Sequence, residues 1–137
     1  MSYLDILRPQ LEEDEGVRHH PYRDSKGYLT IGCWRNLDSV GISDDEVDFL
    51  LNNDIADAES DARKLVPTFD ALSDARKAVV VNMSFNMGFD TFSKFHNTLA
   101  AINDGRFYDA AVGMLASAWA TQVGDRAQRL AKAMREG

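Results

Sequence analysis

The sequence predicts an α+β fold that is mostly α, and three observations carry that expectation. Apolar residues recur at helical spacing over most of the 137 residues. Only the stretch from Tyr22 to Cys33 changes to the alternation of short strands. A capping box at Ser43-Asp-Asp-Glu46 then opens a helix long enough to join a small N-terminal lobe to a helical C-terminal one.

In chain order, Ser2 can cap a first helix with apolar Tyr3, Leu4, Ile6, Leu7 and Leu11. Pro9 inside it predicts a kink or a restart, and Gly16 is the stop that places Glu15 in the last turn. Asp24-Ser-Lys-Gly27 has the residues of a type I turn at its first and fourth positions. Tyr28, Thr30 and Gly32 alternate beyond it with Leu29, Ile31 and Cys33, so the segment reads as a small hairpin. The long helix, about 43–66, carries Val47, Leu50, Leu51, Ile55, Ala58, Ala62 and Leu65 and ends at Pro67. Ser73 caps a helix that is apolar around most of its circumference and stops at Gly88, as a central buried helix would. Segments at Lys94–Asn103 and Arg106–Ala118 follow, then a last helix that Asp125 can cap.

Formal charge is −7, with 15 acids against 7 bases in residues 1–68 and 7 against 8 in residues 69–137. That balance disfavours nucleic acid as a partner, because phosphate contacts need a basic face. The N-terminus does not read as a signal peptide, and no apolar run approaches the roughly 18 residues of a membrane span. Synthesis in the cytosol is the expectation. A single cysteine, Cys33, excludes an internal disulfide. His19 and His20 are adjacent, which on a strand sends them to opposite faces, so a shared metal is not expected.

The chemistry gathers between Asp14 and Leu37. Glu15 at a helix end and Asp24 at a turn are two carboxylates that can face one another, with Thr30 on the strand after them. Glycosidic cleavage needs such a pair: one group gives a proton to the leaving oxygen, the other activates water or stabilises positive charge on the sugar. The partial negative charge of a helix C-terminus favours an acid that keeps its proton. Taken singly, each residue has an ordinary reading. Glu15 belongs to an acidic run, Asp24 is a turn former, and Thr30 is a β-branched strand residue.

The combination is more specific. Glu15-x8-Asp24-x5-Thr30, with Asp-Ser-x-Gly-x-x-Thr-Ile-Gly inside it, resembles the phage-type lysozymes, the endolysins of glycoside hydrolase family 24. Gly41-Ile-Ser-x-x-Glu46, Asn82-Met-x-Phe-Asn-Met-Gly88, Phe95-His-Asn-Thr-Leu99 and Trp119…Arg126-Ala-x-Arg129 extend the likeness over nearly the whole chain. The resemblance implies one lysozyme-like domain. Its parts would be an N-lobe of about 14–42, an interlobe helix of about 43–66 and a C-lobe of about 68–137 with the N-terminal helix packed near it. It further implies a muramidase that hydrolyses the β-1,4 bond between N-acetylmuramic acid and N-acetylglucosamine during bacterial lysis, with no metal or cofactor. Glu15 then matches the general acid, Asp24 the general base or electrostatic stabiliser, and Thr30 the residue that positions water. Tyr28, Trp34, Phe85, Asn86, His96, Asn97, Trp119 and Arg126 fall on the substrate side, Arg126 also matching an arginine that pairs with the catalytic glutamate. Peptidoglycan is the implied partner, and the chain is expected as a monomer. It would stay in the host cytoplasm until a separate holin releases it to the periplasm and cell wall.

One departure stands out. The family pattern continues Thr-Ile-Gly with one residue and a second glycine, and here that position is Trp34. A glycine would permit positive φ or close approach of a sugar; tryptophan resists the first and obstructs the second, yet could stack on a sugar ring. A cell-wall binding module with impaired catalysis is therefore the competing reading.

Overall fold

A computed structural model describes residues 1–137. Two compact units emerge, Met1–Phe49 and Leu50–Gly137. The boundary between them falls inside one continuous helix.

The first unit begins with α1 (Tyr3–Glu15). Ser2 and Asp5 form a capping box, Ser2 Oγ accepting from Leu4 N at 3.2 Å and Asp5 Oδ2 from Ser2 N at 2.8 Å. Pro9 does not restart the helix as expected. Its missing N–H orphans one carbonyl on an exposed helix, where solvent can satisfy it, so the local cost is small enough to carry. Gly16 stops α1 at φ +73°, its N–H donating to Glu12 O at 3.0 Å.

Strands β1 (Arg18–Arg23), β2 (Leu29–Gly32) and β3 (Arg35–Asn36) follow as one antiparallel sheet in that order. The hairpin expected at Asp24–Gly27 is present, with Gly27 N donating to Asp24 O at 3.0 Å and Gly27 at φ +86°. The third strand was not foreseen, because two residues are too few to show alternation. Thr30 lies at the sheet's centre, paired with Tyr22 on one side and Asn36 on the other, and it is fully buried.

The capping box at Ser43 also forms. Glu46 N donates to Ser43 Oγ at 3.2 Å and Ser43 N donates to Glu46 Oε1 at 3.0 Å, opening α2 (Asp44–Leu65). Arg35 on β3 reaches the same Glu46 oxygen at 2.7 Å and also donates to Gly41 O, which ties the sheet to the start of α2.

The second unit holds the hydrophobic core. Helix α3 (Asp74–Ser93) is capped by Ser73 and supplies Val79, Val80, Met83 and Phe92 to it. Gly88, the expected stop, does break the helical backbone (φ +80°, ψ 166°), but helical turns resume at once to Ser93. Then come α4 (His96–Asn103), α5 (Phe107–Leu115), α6 (Ala118–Val123) and α7 (Asp125–Glu136). Ile102, Met114 and Met134 complete the centre, each worth about 2 kcal/mol of burial.

Two sequence expectations are corrected here. Helix α6 is separate, opened by Ser117 Oγ accepting from Ala120 N, so the segment expected to run to Ala118 ends at Leu115. Asp125 does not cap α7. Gly124 (φ +59°, ψ −124°) takes the cap position, and Asp125 is the first helical residue, placing its charge in the first turn instead. At the other end of α7, Arg76 donates to Met134 O at 2.8 Å and Arg135 O at 3.1 Å, satisfying carbonyls that the helix leaves free.

Candidate active site

Glu15 is the last residue of α1 and is half-buried. Only Gly16 and Val17 separate it from β1, whose first residue, Arg18, pairs with Gly32. Tyr22 pairs with Thr30. Four residue steps of β1 therefore cross the distance that two steps cover on β2, about 7 Å. The excess, around His19, His20 and Pro21, is a bulge, and Pro21, with no N–H for the ladder, belongs at such a point. Arg18 lies over the Tyr22 ring at 4.9 Å and spans the shortened segment. The bulge lies between the end of α1 and the turn that carries Asp24. It also removes the strict alternation assumed for the two histidines, and no group of three metal-ligating side chains assembles anywhere in the chain.

Asp24 and Thr30 are joined through one backbone. Asp24 N donates to Tyr28 O at 2.9 Å, and Thr30 Oγ1 donates to the same carbonyl at 2.9 Å. Asp24 Oδ1 accepts from Lys26 N and Tyr28 N, each at 2.9 Å. One carboxylate oxygen is thus fixed by the turn and the other is left for chemistry. Continuing the register from Tyr22–Thr30 sets Asp24 opposite Tyr28, so Asp24 and Thr30 share a face as diagonal neighbours, about 7–8 Å apart at Cα. With its proton committed to Tyr28 O, Thr30 Oγ1 can only accept from a further partner.

Trp34 occupies the three-residue connection between the paired Ile31 and Arg35. That connection turns on two positive φ angles, Gly32 at +69° and Trp34 at +67°. Trp34 is the one non-glycine residue in the chain with positive φ, so the position does demand what the sequence suggested a tryptophan would resist. Its side chain is exposed. Tyr28 is likewise exposed.

The other residues named from the sequence belong to the second unit. Phe85 and Asn86 are exposed on α3, and His96 and Asn97 are exposed at the start of α4. Trp119 is buried, and its indole Nε1 donates to Asn86 Oδ1 at 2.8 Å, so it steadies Asn86 instead of presenting a free ring. Both line a groove of about 430 Å³ with Met87, Phe95 and Gln122. Arg126 donates to Asn82 Oδ1 through Nε at 3.0 Å and Nη2 at 2.6 Å. Asn82 is thus a supporting residue that the reading by motif named without a role. Neither Asn97 nor Thr98 caps α4, and Thr98 is buried beside Gly113 of α5.

A family model described as phage lysozyme matches residues 12–136. The chain belongs to the phage lysozyme family. Among its relatives are a probable T4-type lysozyme 2 and a probable T4-type lysozyme 1 of Dictyostelium discoideum, 27% and 26% identical over 98% of this chain and 96% of theirs. The pre-baseplate central spike protein Gp5 of Enterobacteria phage T4 is 27% identical over 95% of this chain. The match spans only 27% of that spike protein's length. The family match covers Glu15, Asp24 and Thr30 together with the bulged hairpin.

Proposed function

We propose that the chain is a muramidase that cleaves the β-1,4 bond between N-acetylmuramic acid and N-acetylglucosamine in peptidoglycan. The observation that carries this is the Asp24–Tyr28–Thr30 backbone junction, with Glu15 closing α1 two residues before the bulged strand that leads to it. Glu15 gives the proton to the departing glycosidic oxygen. A water then donates one hydrogen to the free oxygen of Asp24 and the other to Thr30 Oγ1, which has no proton left to offer. The lone pair of that water points at the anomeric carbon, and displacement inverts it.

Tyr28 and Trp34 supply aromatic surface for sugars. Trp119 and Arg126 hold Asn86 and Asn82 in place. The released enzyme would act as a monomer at the cell wall after a holin opens the way from the cytoplasm. Strain at Trp34 favours the second reading, a wall-binding module with weakened catalysis. Turbidity of permeabilised Gram-negative cells separates the two. The parent clears them, and Glu15→Gln, folded by circular dichroism, does not. Equal clearing by the variant would refute the role given to Glu15.

A further inference from the structure

Between α5 and α7 runs a groove of about 440 Å³ whose two walls differ in chemistry. On α5, Tyr108, Val112 and Leu115 stand at four- and three-residue spacing and are all exposed, Tyr108 by 66%. On α7, Arg129, Lys132 and Arg135 recur every three residues along the facing wall. No acidic side chain lines the groove. Arg129 and Lys132 take part in no ion pair, and Arg135 meets only the exposed Glu136 at 3.4 Å. In a chain of net charge −7, three cations of which only Arg135 has an acidic partner, beside an apolar stripe, are a local reversal of sign.

We propose that this groove docks on a bilayer surface bearing anionic phospholipid. The three cations meet lipid phosphates, their aliphatic stems lie along the boundary, and Val112 and Leu115 enter the acyl region beneath Tyr108. Tyrosine suits that position, apolar in the body and polar at the tip. Each cation near an anionic bilayer raises partitioning roughly five-fold, and added salt removes the gain. This docking is independent of the proposed hydrolysis, because none of the six residues belongs to the candidate active site.

Co-sedimentation of the full chain with vesicles tests it. Vesicles of phosphatidylcholine with phosphatidylglycerol are expected to pellet the protein, vesicles of phosphatidylcholine alone are not, and salt weakens the binding. Lys132→Glu lowers partitioning by at least about five-fold, and Val112→Ser lowers it as well. Lys132→Gln, milder at an exposed site, serves if the charge reversal disturbs folding. Inorganic phosphate at matched ionic strength leaves the protein on the vesicles; its release by phosphate would mean a free-anion site and overturn the proposal. Parental binding by both lysine variants, or no binding to anionic vesicles, overturns it too. Glu15→Gln binds the vesicles like the parent, which separates this result from that of the hydrolysis.

Discussion

In the proposed mechanism Thr30 serves the fold and the chemistry together. Its hydroxyl donates to Tyr28 O, so the same carbonyl that takes Asp24 N and closes the hairpin also aims the Thr30 lone pairs. Thr30→Val keeps the shape and loses the hydroxyl. Stability is expected to fall by about 1 kcal/mol, while turnover falls by ~10²-fold or more as the water loses its second anchor. Thr30→Ser restores most of the turnover. A valine variant with parental turnover would remove Thr30 from the mechanism. Trp34 is the opposite case, a residue at odds with its backbone. Left-handed φ costs a non-glycine residue about 1–2 kcal/mol, and glycine gives back about 0.5–1 kcal/mol in chain entropy. Trp34→Gly should therefore raise stability by up to about 1 kcal/mol in urea unfolding. A lower urea midpoint would mean that the exposed indole contributes packing that its exposure hides.

Among the elements, most of those built from local signals matched their sequence, the cap of α7 being the exception. Ser43 and Glu46 are three residues apart and cap each other, and Gly16, Gly27 and Gly88 turn the backbone where they were expected to. Elements that depend on partners were not legible. Strand β3 exists only because Thr30 and Ile31 pair with it, and α6 is a six-residue helix too short for a period. The bulge at His19–Pro21 needs the register of β2 to be seen. Glu46 carries a prediction of its own. Arg35 above all, then the Ser43 N–H and hydroxyl, hold its carboxyl down at about 2 against an ordinary 4.5. A lowered folded-state value means that this stabilisation is complete above about pH 4.5 and is lost as pH falls through about 2. Glu46→Gln should flatten the stability profile between those limits, followed by melting temperature against pH; an unchanged profile would show that the link between β3 and α2 contributes nothing. Close packing of α4 on α5 gives another. A Cβ at Gly113 would come within 2.5 Å of Thr98 Oγ1, so Gly113→Ala should cost about 1–3 kcal/mol in denaturant unfolding. A neutral result would show that Thr98 can swing aside.

Over the whole molecule, the residues proposed for the chemistry could be named from sequence because their spacing is carried within one short stretch. Glu15, Asp24 and Thr30 lie within sixteen residues of one unit, and the backbone that relates them is local. The second unit was less legible. Trp119 and Arg126 were read as facing substrate, whereas their hydrogen bonds go to Asn86 and Asn82, partners 33 and 44 residues away that no periodicity announces. Family membership rests on residues 12–136 as a whole, and the proposed chemistry rests on three of them. Digestion of purified peptidoglycan, with the new reducing ends identified, tests that chemistry most directly. The parent is expected to release N-acetylmuramic acid ends and Glu15→Gln none. Equal release by the variant, or no new reducing ends from the parent, would contradict the account.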